Sequence, residues 1–233
     1  MTFLKLSSIS FFCPAYHDSG NLPKLIPEVV TFLSSVTDVF EVIIVEDGSP
    51  DDTGRVADDL ARQYSQVRVI HHPKNLGYGA ALRSGFQAAR YDFIMYTDGD
   101  RQYDVNEFKP YLSLLAKYDV ISGYAISKNV SLRRRLQSWT YNVLLLALFW
   151  VWYRDANCSM KVYRRHVLDT IKIQSTSAFI DGEMLIKTKR AGFHIGWFPV
   201  HHLPRMTGIA SGSNITVIAD TIRDMILFRI GLL

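Results

Sequence analysis

Two aspartates separated by one glycine, Asp98 and Asp100, are the residues of this chain whose types and spacing best suit metal chemistry. They follow an apolar, β-prone run. Alternate residues of a strand share one face, so the two carboxylates point the same way unless the turn at Gly99 intervenes. Converging carboxylate oxygens suit Mg²⁺ or Mn²⁺ that carries phosphate groups. Asp-Gly-Asp is also common turn chemistry, so the motif by itself leaves a metal site and a simple turn both open.

Polar residues also follow two other predicted strands at the point where each strand ends. Tyr16 and Asp18 come after the first strand, where a ring can stack on a base and a carboxylate can accept its hydrogen bonds. An ordinary surface loop is the alternative. Asp47 follows the second strand, and helix capping accounts for Asp51 and Asp52 but not for Asp47.

A glycine-bearing loop, residues 75–81, leads into a predicted helix. Gly77 and Gly79 let backbone N–H groups approach a phosphate or a sugar closely, although they equally permit tight helix packing. The loop lacks the G-x-G-x-x-G spacing of a dinucleotide site, and it follows the third strand instead of the first.

The elements that position these residues alternate between strand and helix. Nearly continuous apolar runs such as residues 40–45 are typical of parallel strands buried on both faces. The β-α-β-α order predicts an α/β fold, a mostly parallel central sheet flanked by helices, in which ligands bind at the carboxyl ends of the strands. The predicted strands are 9–13, 40–45, 67–70, 93–96 and 120–122, and the predicted helices are 21–35, 53–64, 76–90 and 105–118.

Composition limits the class of protein. The chain has 233 residues, of which 48% are hydrophobic and 21% charged, and this predicts one globular domain over residues 1–233. A formal charge of +4 favours anionic substrates or a phospholipid surface and is too small to indicate nucleic acid. Cys13 and Cys158 lack metal-ligand spacing and are expected to be buried thiols in a reducing compartment. The first twelve residues lack the form of a signal peptide, so we expect a cytosolic chain.

Four motifs in this order resemble those of the family 2 glycosyltransferases, in particular the group of dolichyl-phosphate mannose synthases and other polyprenyl-phosphate glycosyltransferases. The motifs are residues 14–16, 45–53, 75–81 and 98–102, and the resemblance runs from about residue 7 to residue 211. It implies the GT-A fold, a nucleoside diphosphate sugar donor of the GDP-mannose or UDP-glucose type, Mg²⁺ or Mn²⁺, and inversion at the anomeric carbon.

The resemblance, carried over position by position, implies roles for particular residues. The implied nucleotide-sugar-binding residues are Pro14, Tyr16, Asp18, Val45, Asp47, Gly77, Asp98 and Gly99. Asp98, Asp100 and Gln102 are the implied metal ligands, and Asp100 is also counted as catalytic. A metal and cations there stabilise the nucleoside diphosphate that leaves when the sugar–phosphate bond breaks. The chain departs from the family pattern at His17-Asp18, where Asn-Glu is usual.

Further matches to the family lie in the second half of the chain. Residues 155–165 resemble its acceptor-side segment and residues 179–185 its D-x-E motif. Asp181 is the first candidate, and Glu183 the second, for the base of transfer to a hydroxyl. A phosphate acceptor is already ionised and needs no strong base, and an ordinary amphipathic helix start is the alternative. Arg205 matches an arginine that contacts phosphate and is counted as catalytic. The implied acceptor- or phosphate-binding residues are Arg133, Arg134, Lys161 and Arg205.

Two segments bear on contact with a membrane. In residues 128–153, three arginines precede an apolar run that is rich in aromatic residues. This run is shorter than the roughly 20 residues needed to span a bilayer. This favours an interfacial helix on anionic lipid, with a core helix as the alternative. The amphipathic tail 214–233 has three open interpretations: it lies on the membrane, packs on another subunit of a homo-oligomer, or begins a truncated region. We therefore expect a peripheral protein at the cytoplasmic face of a membrane.

The sequence thus predicts a metal-dependent, inverting glycosyltransferase that moves a hexose from a nucleoside diphosphate sugar to a polyprenyl or dolichyl phosphate. Two alternatives stay open. One is transfer to a saccharide or lipid hydroxyl with Asp181 as base, and the other is a non-catalytic nucleotide-sugar binding protein. The intact pair of Asp98 and Asp100 argues against the second, since binding alone does not need the metal site.

Overall fold

A seven-stranded sheet forms the centre of the computed structural model, which describes residues 5–128, 132–205 and 215–233. The strands are β1 (Ile9–Ala15), β2 (Phe40–Glu46), β3 (Val67–His71), β4 (Phe93–Tyr96), β5 (Val120–Lys128), β6 (Lys161–Arg164) and β7 (Ile195–His202). Their order is β3-β2-β1-β4-β6-β5-β7. Only β6 runs antiparallel to its neighbours in this described sheet, which confirms the predicted mostly parallel arrangement.

Helices cover both faces of the sheet because a parallel strand pair needs a crossover connection. One face packs against α1 (Leu22–Val36), α2 (Thr53–Gln63) and a 3-10 helix (Val105–Ala116). The other face packs against α3 (Tyr78–Ala88), α5 (Arg165–Thr170) and α6 (Ile180–Arg190). Successive residues of β1 point to opposite faces, so Phe11 and Phe12 enter different apolar clusters.

A third apolar cluster joins α6 to α4 (Leu132–Phe149) and α7 (Ile215–Arg229). The rings of Phe149, Phe179 and Phe228 lie with their centroids 5.4 to 5.8 Å apart. Aromatic contacts at this spacing add to the burial of apolar surface. They hold α4 and α7 against the body of the domain, although neither helix belongs to the alternating β-α pattern.

The helix α4 and the residues that follow it have features of both interpretations of residues 128–153, a core helix and an interfacial helix. Leu145 and Phe149 are buried in the core, whereas Trp139, Trp150 and Trp152 are 60%, 84% and 58% exposed. In the ranges that the structure describes, no helix is both long enough and apolar enough to cross a bilayer.

Most predicted elements begin and end within two residues of the observed ones, and the differences have local causes. Residues 105–116 form a 3-10 helix that contains Pro110, whose ring is poorly tolerated inside an α-helix because it clashes with the preceding turn. The fifth strand continues to Lys128 instead of ending at residue 122, because it pairs along its length with β7. The sequence analysis predicted neither β6 nor β7.

The reversed direction of β6 determines what reaches the functional edge of the sheet. Tyr96, the last residue of β4, pairs with Lys161, the first residue of β6. The segment just before β6, residues 155–160, therefore lies at the edge where the parallel strands have their carboxyl ends. This brings residues of the second half of the chain to Asp98 and Asp100.

Candidate active site

A cavity of about 930 Å³ opens at the carboxyl edge of the sheet. Its volume is within the range of small-molecule sites in proteins. Most of the residues predicted from sequence line it together: Pro14, Tyr16, Asp18, Asp47, Gly77, Asp98, Gly99, Asp100, Gln102, Asp181 and Arg205. Three others, Val45, Lys161 and Glu183, do not line it. Arg133 and Arg134 belong to α4, but their side chains lie outside the described part of the chain.

The segment from Asp98 to Asp100 is both a tight turn and a cluster of carboxylates. The Gly99 amide donates to the Pro14 carbonyl oxygen over 3.1 Å, and a side chain at Gly99 would lie 2.7 Å from that oxygen. Burial, followed by the charges of Asp100 and Asp181, raises the pKa of Asp98 to about 7, although hydrogen bonds from Ser159 and Tyr78 oppose the shift. The two interpretations of this motif are therefore compatible.

Asp100 is tied to the end of β7. Its Oδ1 accepts from the Gln102 amide over 3.0 Å, and its Oδ2 accepts from the Arg205 guanidinium. Arg205 also donates to Gln102 Oε1 over 3.3 Å. The Leu203 amide donates to the Gln102 carbonyl oxygen over 2.8 Å. These bonds place the predicted phosphate-binding arginine directly on two predicted metal ligands.

The residues of this cluster fit a divalent metal that shares its coordination with a ligand. Asp98 Oδ1 is buried and makes no hydrogen bond to any other described residue, so it has a free acceptor position. No group of three or more His, Cys, Asp or Glu side chains that could hold a metal exists within the described ranges. Two carboxylates and an amide suit Mg²⁺ or Mn²⁺ that takes its remaining ligands from phosphate and water.

Asp18 and its neighbours form the wall next to this cluster. The Asp18 carboxylate accepts from the Tyr16 amide over 3.1 Å and from Asn21 Nδ2 over 2.8 Å. Burial raises the pKa of Asp18, with hydrogen bonds from Asn21 and Tyr16 opposing it and the charge of Asp100 adding to it. His17 has a φ of +58°, a left-handed conformation that is unusual without glycine. Asp18 thus shapes the loop that presents Tyr16 to the cavity.

Asp47 fastens the glycine-bearing loop to the end of β2. Its Oδ2 accepts from the Gly77 amide over 2.9 Å, and its Oδ1 accepts from the Leu76 amide over 2.9 Å. His72 Nδ1 lies 2.6 Å from the same Oδ1. Tight packing, the alternative for this loop, is present as well, because a side chain at Gly79 would lie 2.3 Å from the Ser177 carbonyl oxygen.

Asp181 enters the cavity with a buried ion pair behind it. Lys161 Nζ lies 2.6 Å from Asp181 Oδ1 and 3.0 Å from the Tyr96 hydroxyl, and it is fully buried. Tyr96 donates to the same Oδ1, and the Tyr78 hydroxyl lies 3.4 Å from Oδ2. Lys161 therefore contacts Asp181 and does not line the cavity, so its expected role as a phosphate-binding residue is not supported by its position.

Glu183, the second candidate base, supports a loop. Its carboxylate accepts from the amides of Gln174 and Ser175 over 2.9 and 2.8 Å, and from Lys187 Nζ over 2.5 Å. The side chain is fully buried and lies outside the cavity. In this structure it holds the segment that precedes α6.

Several cavity residues received no individual role in the sequence analysis. Tyr78, Tyr103, Asp155, Asn157 and His202 contribute polar atoms or rings to the cavity wall. His202 ends β7, a strand that the sequence analysis did not predict, so the strand-end rule that identified Asp98 did not reach it. The wall formed by α4 and α7 is mixed. Its apolar residues are Leu136, Leu144, Val217, Ile218, Ile222 and Met225, and its polar or charged residues are Ser138, Thr140, Tyr141, Asp220, Thr221 and Arg223.

Comparison with known proteins identifies a family. Residues 10–172 match the model described as Glycosyl transferase family 2. The chain is 31% identical over 207 residues to glycosyltransferase AglD of Haloferax volcanii, covering 84% of this chain and 33% of that protein. It is 26% identical over 242 residues to dolichyl-phosphate beta-glucosyltransferase ALG5A of Trichomonas vaginalis, covering 96% and 74%. It is 27% identical over 183 residues to undecaprenyl-phosphate 4-deoxy-4-formamido-L-arabinose transferase of Proteus mirabilis, covering 77% and 56%. The chain thus spans from a third to three quarters of the length of these relatives.

The fold is shared with solved structures. Glucosyl-3-phosphoglycerate synthase from Mycobacterium tuberculosis, in complex with phosphoglyceric acid, superposes with a TM-score of 0.72 at 19% identity, covering 97% of this chain and 81% of that one. The same enzyme with Mn²⁺, UDP-glucose and phosphoglyceric acid has a TM-score of 0.72 at 18% identity, with the same coverage. This likeness confirms the expected GT-A fold.

Proposed function

The chain belongs to glycosyl transferase family 2 and is a glycosyltransferase, and from that premise we propose that it moves a hexose from a nucleoside diphosphate sugar to a polyprenyl phosphate. Relatives named for transfer to dolichyl or undecaprenyl phosphate support this acceptor class. They also favour an enzyme over a nucleotide-sugar binding protein.

The observation that carries the proposal is the division of the cavity into two chemically different halves. The strand ends supply a floor of carboxylates, amides and hydroxyls, whereas α4 and α7 supply the aliphatic side chains of the cavity wall, among them Leu144, Ile218 and Met225, next to polar ones. A nucleoside diphosphate sugar is polar throughout and matches the floor. A polyprenyl phosphate has a charged end and an apolar chain, so it can place its phosphate near the floor and its chain along the wall.

The donor is proposed to lie along the ends of β1, β2 and β4. Tyr16 and the loops fastened by Asp18 and Asp47 would hold the nucleoside, and Gly77 lets the chain approach the donor closely. Asp98, Asp100 and Gln102 would hold Mg²⁺ or Mn²⁺. When bound, the metal supplies positive charge that stabilises the leaving diphosphate.

The transfer step itself takes place between the two substrates, and Arg205 is proposed to stabilise the leaving diphosphate. An acceptor phosphate oxygen attacks the anomeric carbon from the side opposite the diphosphate, a new C–O bond forms, and the bond to the diphosphate oxygen breaks with inversion. The leaving nucleoside diphosphate keeps the electron pair. Arg205 lies beside Asp100 and is placed to contact the phosphate charge that develops there.

Transfer to a hydroxyl is a second candidate because Asp181 lines the cavity. A hydroxyl acceptor must lose a proton, and a carboxylate within reach can accept it. Lys161 and Tyr96 already occupy Asp181 Oδ1, and two relatives are named for transfer to a lipid phosphate, so this candidate is secondary.

Attachment at the cytoplasmic face of a membrane is proposed from the exposed surface of α4 and α7 and of the residues that directly follow each helix. Tryptophans 139, 150 and 152 and isoleucines 215, 226 and 230 are all at least half exposed. Tryptophan is the side chain most typical of the membrane–water interface. A homo-oligomer formed through residues 214–233 stays a prediction.

The test is a panel of radiolabelled UDP- and GDP-sugars incubated with the chain, Mn²⁺ and a polyprenyl phosphate in lipid vesicles. We expect label from one donor to move into the organic phase, and to stop doing so when the acceptor is replaced by dephosphorylated polyprenol. Label that moves only to soluble saccharides, or equally to polyprenol, would instead support the hydroxyl-acceptor candidate.

A further inference from the structure

The ion pair between Lys161 and Asp181 is buried at the cavity wall, with side chains 0% and 3% exposed. Lys161 Nζ lies 2.6 Å from Asp181 Oδ1, 3.0 Å from the Tyr96 hydroxyl and 2.5 Å from the Cys158 carbonyl oxygen. An ammonium group has three N–H donors, and these three acceptors take all of them. Lys161 consequently has no donor left for a ligand, and its contacts orient Asp181.

The two oxygens of Asp181 have different surroundings. Oδ1 accepts from Lys161 and from the Tyr96 hydroxyl. Among the described residues Oδ2 has one contact, the Tyr78 hydroxyl at 3.4 Å, which is long for an O–H···O hydrogen bond. A carboxylate oxygen can accept two hydrogen bonds, so Oδ2 retains acceptor capacity on a residue that lines the cavity.

Tyr78 lies near both the proposed diphosphate site and Asp181. The Tyr78 hydroxyl interacts with both Asp98 and Asp181, and a phenol can donate and accept hydrogen bonds. In the donor the hexose is bonded directly to the diphosphate. A hexose whose diphosphate is held at Asp98 and Asp100 would therefore lie beside the Tyr78–Asp181 pair.

We propose that Asp181 Oδ2 and the Tyr78 hydroxyl bind hydroxyl groups of the transferred hexose, and that Lys161 is a positioning residue that holds Asp181 for this purpose. The inference rests on the proposed function and adds to it the subsite that recognises the sugar. A carboxylate accepts from one sugar hydroxyl and a phenol donates to or accepts from its neighbour. Because Lys161 and Tyr96 both bind Oδ1, they fix the carboxylate with Oδ2 left to accept from the sugar.

Calorimetry with the full chain and Mn²⁺, in the absence of acceptor, tests the inference. The affinity for the nucleoside diphosphate sugar that the wild type binds is compared with the affinity for the matching nucleoside diphosphate. We expect Asp181→Asn to weaken sugar-nucleotide binding about tenfold, as for one hydrogen bond to a charged group, and Tyr78→Phe to weaken it about threefold. The affinity for the nucleoside diphosphate should stay within about twofold, because that ligand has no sugar to lose.

Tyr163→Phe is the matched control, because Tyr163 is a fully buried tyrosine of β6 outside the cavity, and its hydroxyl has no partner within the described ranges. It should change neither affinity. If Asp181→Asn and Tyr78→Phe leave the ratio of the two affinities at the wild-type value, the sugar subsite is overturned while the proposed function stands. If the wild type binds no nucleoside diphosphate sugar, both are overturned.

Lys161 is tested by a double-mutant cycle. Lys161→Met should reduce the affinity ratio as Asp181→Asn does, and the double variant should be no worse than Asp181→Asn alone, since Lys161 acts through Asp181. The double variant also removes both buried charges, which is tolerated better than leaving one unpaired, so it keeps the test possible if a single variant unfolds. Effects that add independently would overturn the positioning role.

Discussion

The guanidinium of Arg205 donates a hydrogen bond to the carboxylate of Asp100, a residue 105 positions earlier in the chain. Arg205 also contacts Gln102 Oε1 over 3.3 Å. One cation of the protein thus occupies acceptor positions on two of the three proposed metal ligands. A bound metal ion and Arg205 would therefore compete for the side-chain oxygens of Asp100 and Gln102.

This relationship predicts opposite effects of Arg205→Gln on metal binding and on turnover. Mn²⁺ should bind several-fold more tightly, because a competing cation is removed, while turnover should fall about 10²- to 10³-fold through the loss of a contact to developing charge. Free Mn²⁺ measured by electron paramagnetic resonance and transfer of labelled sugar are the two measurements. Arg101→Gln is the control, because Arg101 pairs with Glu28 and lies outside the cavity. Weaker Mn²⁺ binding in Arg205→Gln would contradict the competition.

Asp98→Asn should raise stability while abolishing metal-dependent turnover. Burial and the nearby charges of Asp100 and Asp181 disfavour the charged form of Asp98. A neutral amide of the same shape should therefore increase the free energy of unfolding. The gain in melting temperature without metal should grow as pH rises from the ordinary pKa of 3.8 to about 7, the pKa of Asp98 in the fold, and should stay constant above that pH. Asp38→Asn, at a side chain 78% exposed, is the control. A lower melting temperature for Asp98→Asn at pH 8 would show that its charge is stabilised by other groups.

Two glycine substitutions should change stability in opposite directions. Gly79→Ala places a methyl group 2.3 Å from the Ser177 carbonyl oxygen and should cost about 2 kcal/mol or more of unfolding free energy through overpacking. Gly54→Ala in α2 meets nothing closer than 3.6 Å and should add about 0.5–1 kcal/mol through helix propensity. Urea unfolding measures both. Equal effects of the two substitutions would mean that the loop packs differently on residues 176–177.

His71 should stabilise the fold more at low pH than at high pH. Partial burial lowers the pKa of His71, but hydrogen bonds and charges from Asp58 and Glu46 outweigh it and raise the pKa above 6.5. The protonated form is thus favoured in the folded state. Its contribution is fully present below pH 6.5 and is lost as pH rises through the raised value. The difference in unfolding free energy between wild type and His71→Asn should be larger at pH 6 than at pH 8.5, and a constant difference would contradict the shift.

The exposed tryptophans of α4 and of the segment that follows it should govern binding to lipid. Replacing Trp139 and Trp150 with serine should weaken co-sedimentation with anionic vesicles, because their rings are 60% and 84% exposed. Trp197→Phe is the control, since its ring packs against Tyr153 with centroids 5.9 Å apart. The arginines at 133–135 should contribute in a salt-dependent way when replaced with alanine. Unchanged partitioning of both sets of variants would remove the interfacial role of this helix.

The strand-end rule explains how much of the site was predictable from sequence. Asp18, Asp47 and Asp98 each follow an apolar strand, and parallel strands end at one edge, so their meeting in one cavity follows from local pattern and topology. The same reasoning did not reach β6 and β7. One is four residues long, and both lie where the β-α alternation stops.

What the sequence alone determined is the family, the α/β fold and the residue types at the ends of the first four strands, because periodicity and turn chemistry are local properties. Only the tertiary structure decided what each side chain touches. It directed Lys161 to Asp181, tied Glu183 to a loop, set Arg205 on Asp100 and placed α7 across the cavity. These contacts join elements that are distant in the chain and depend on the reversed direction of β6, which no local pattern records.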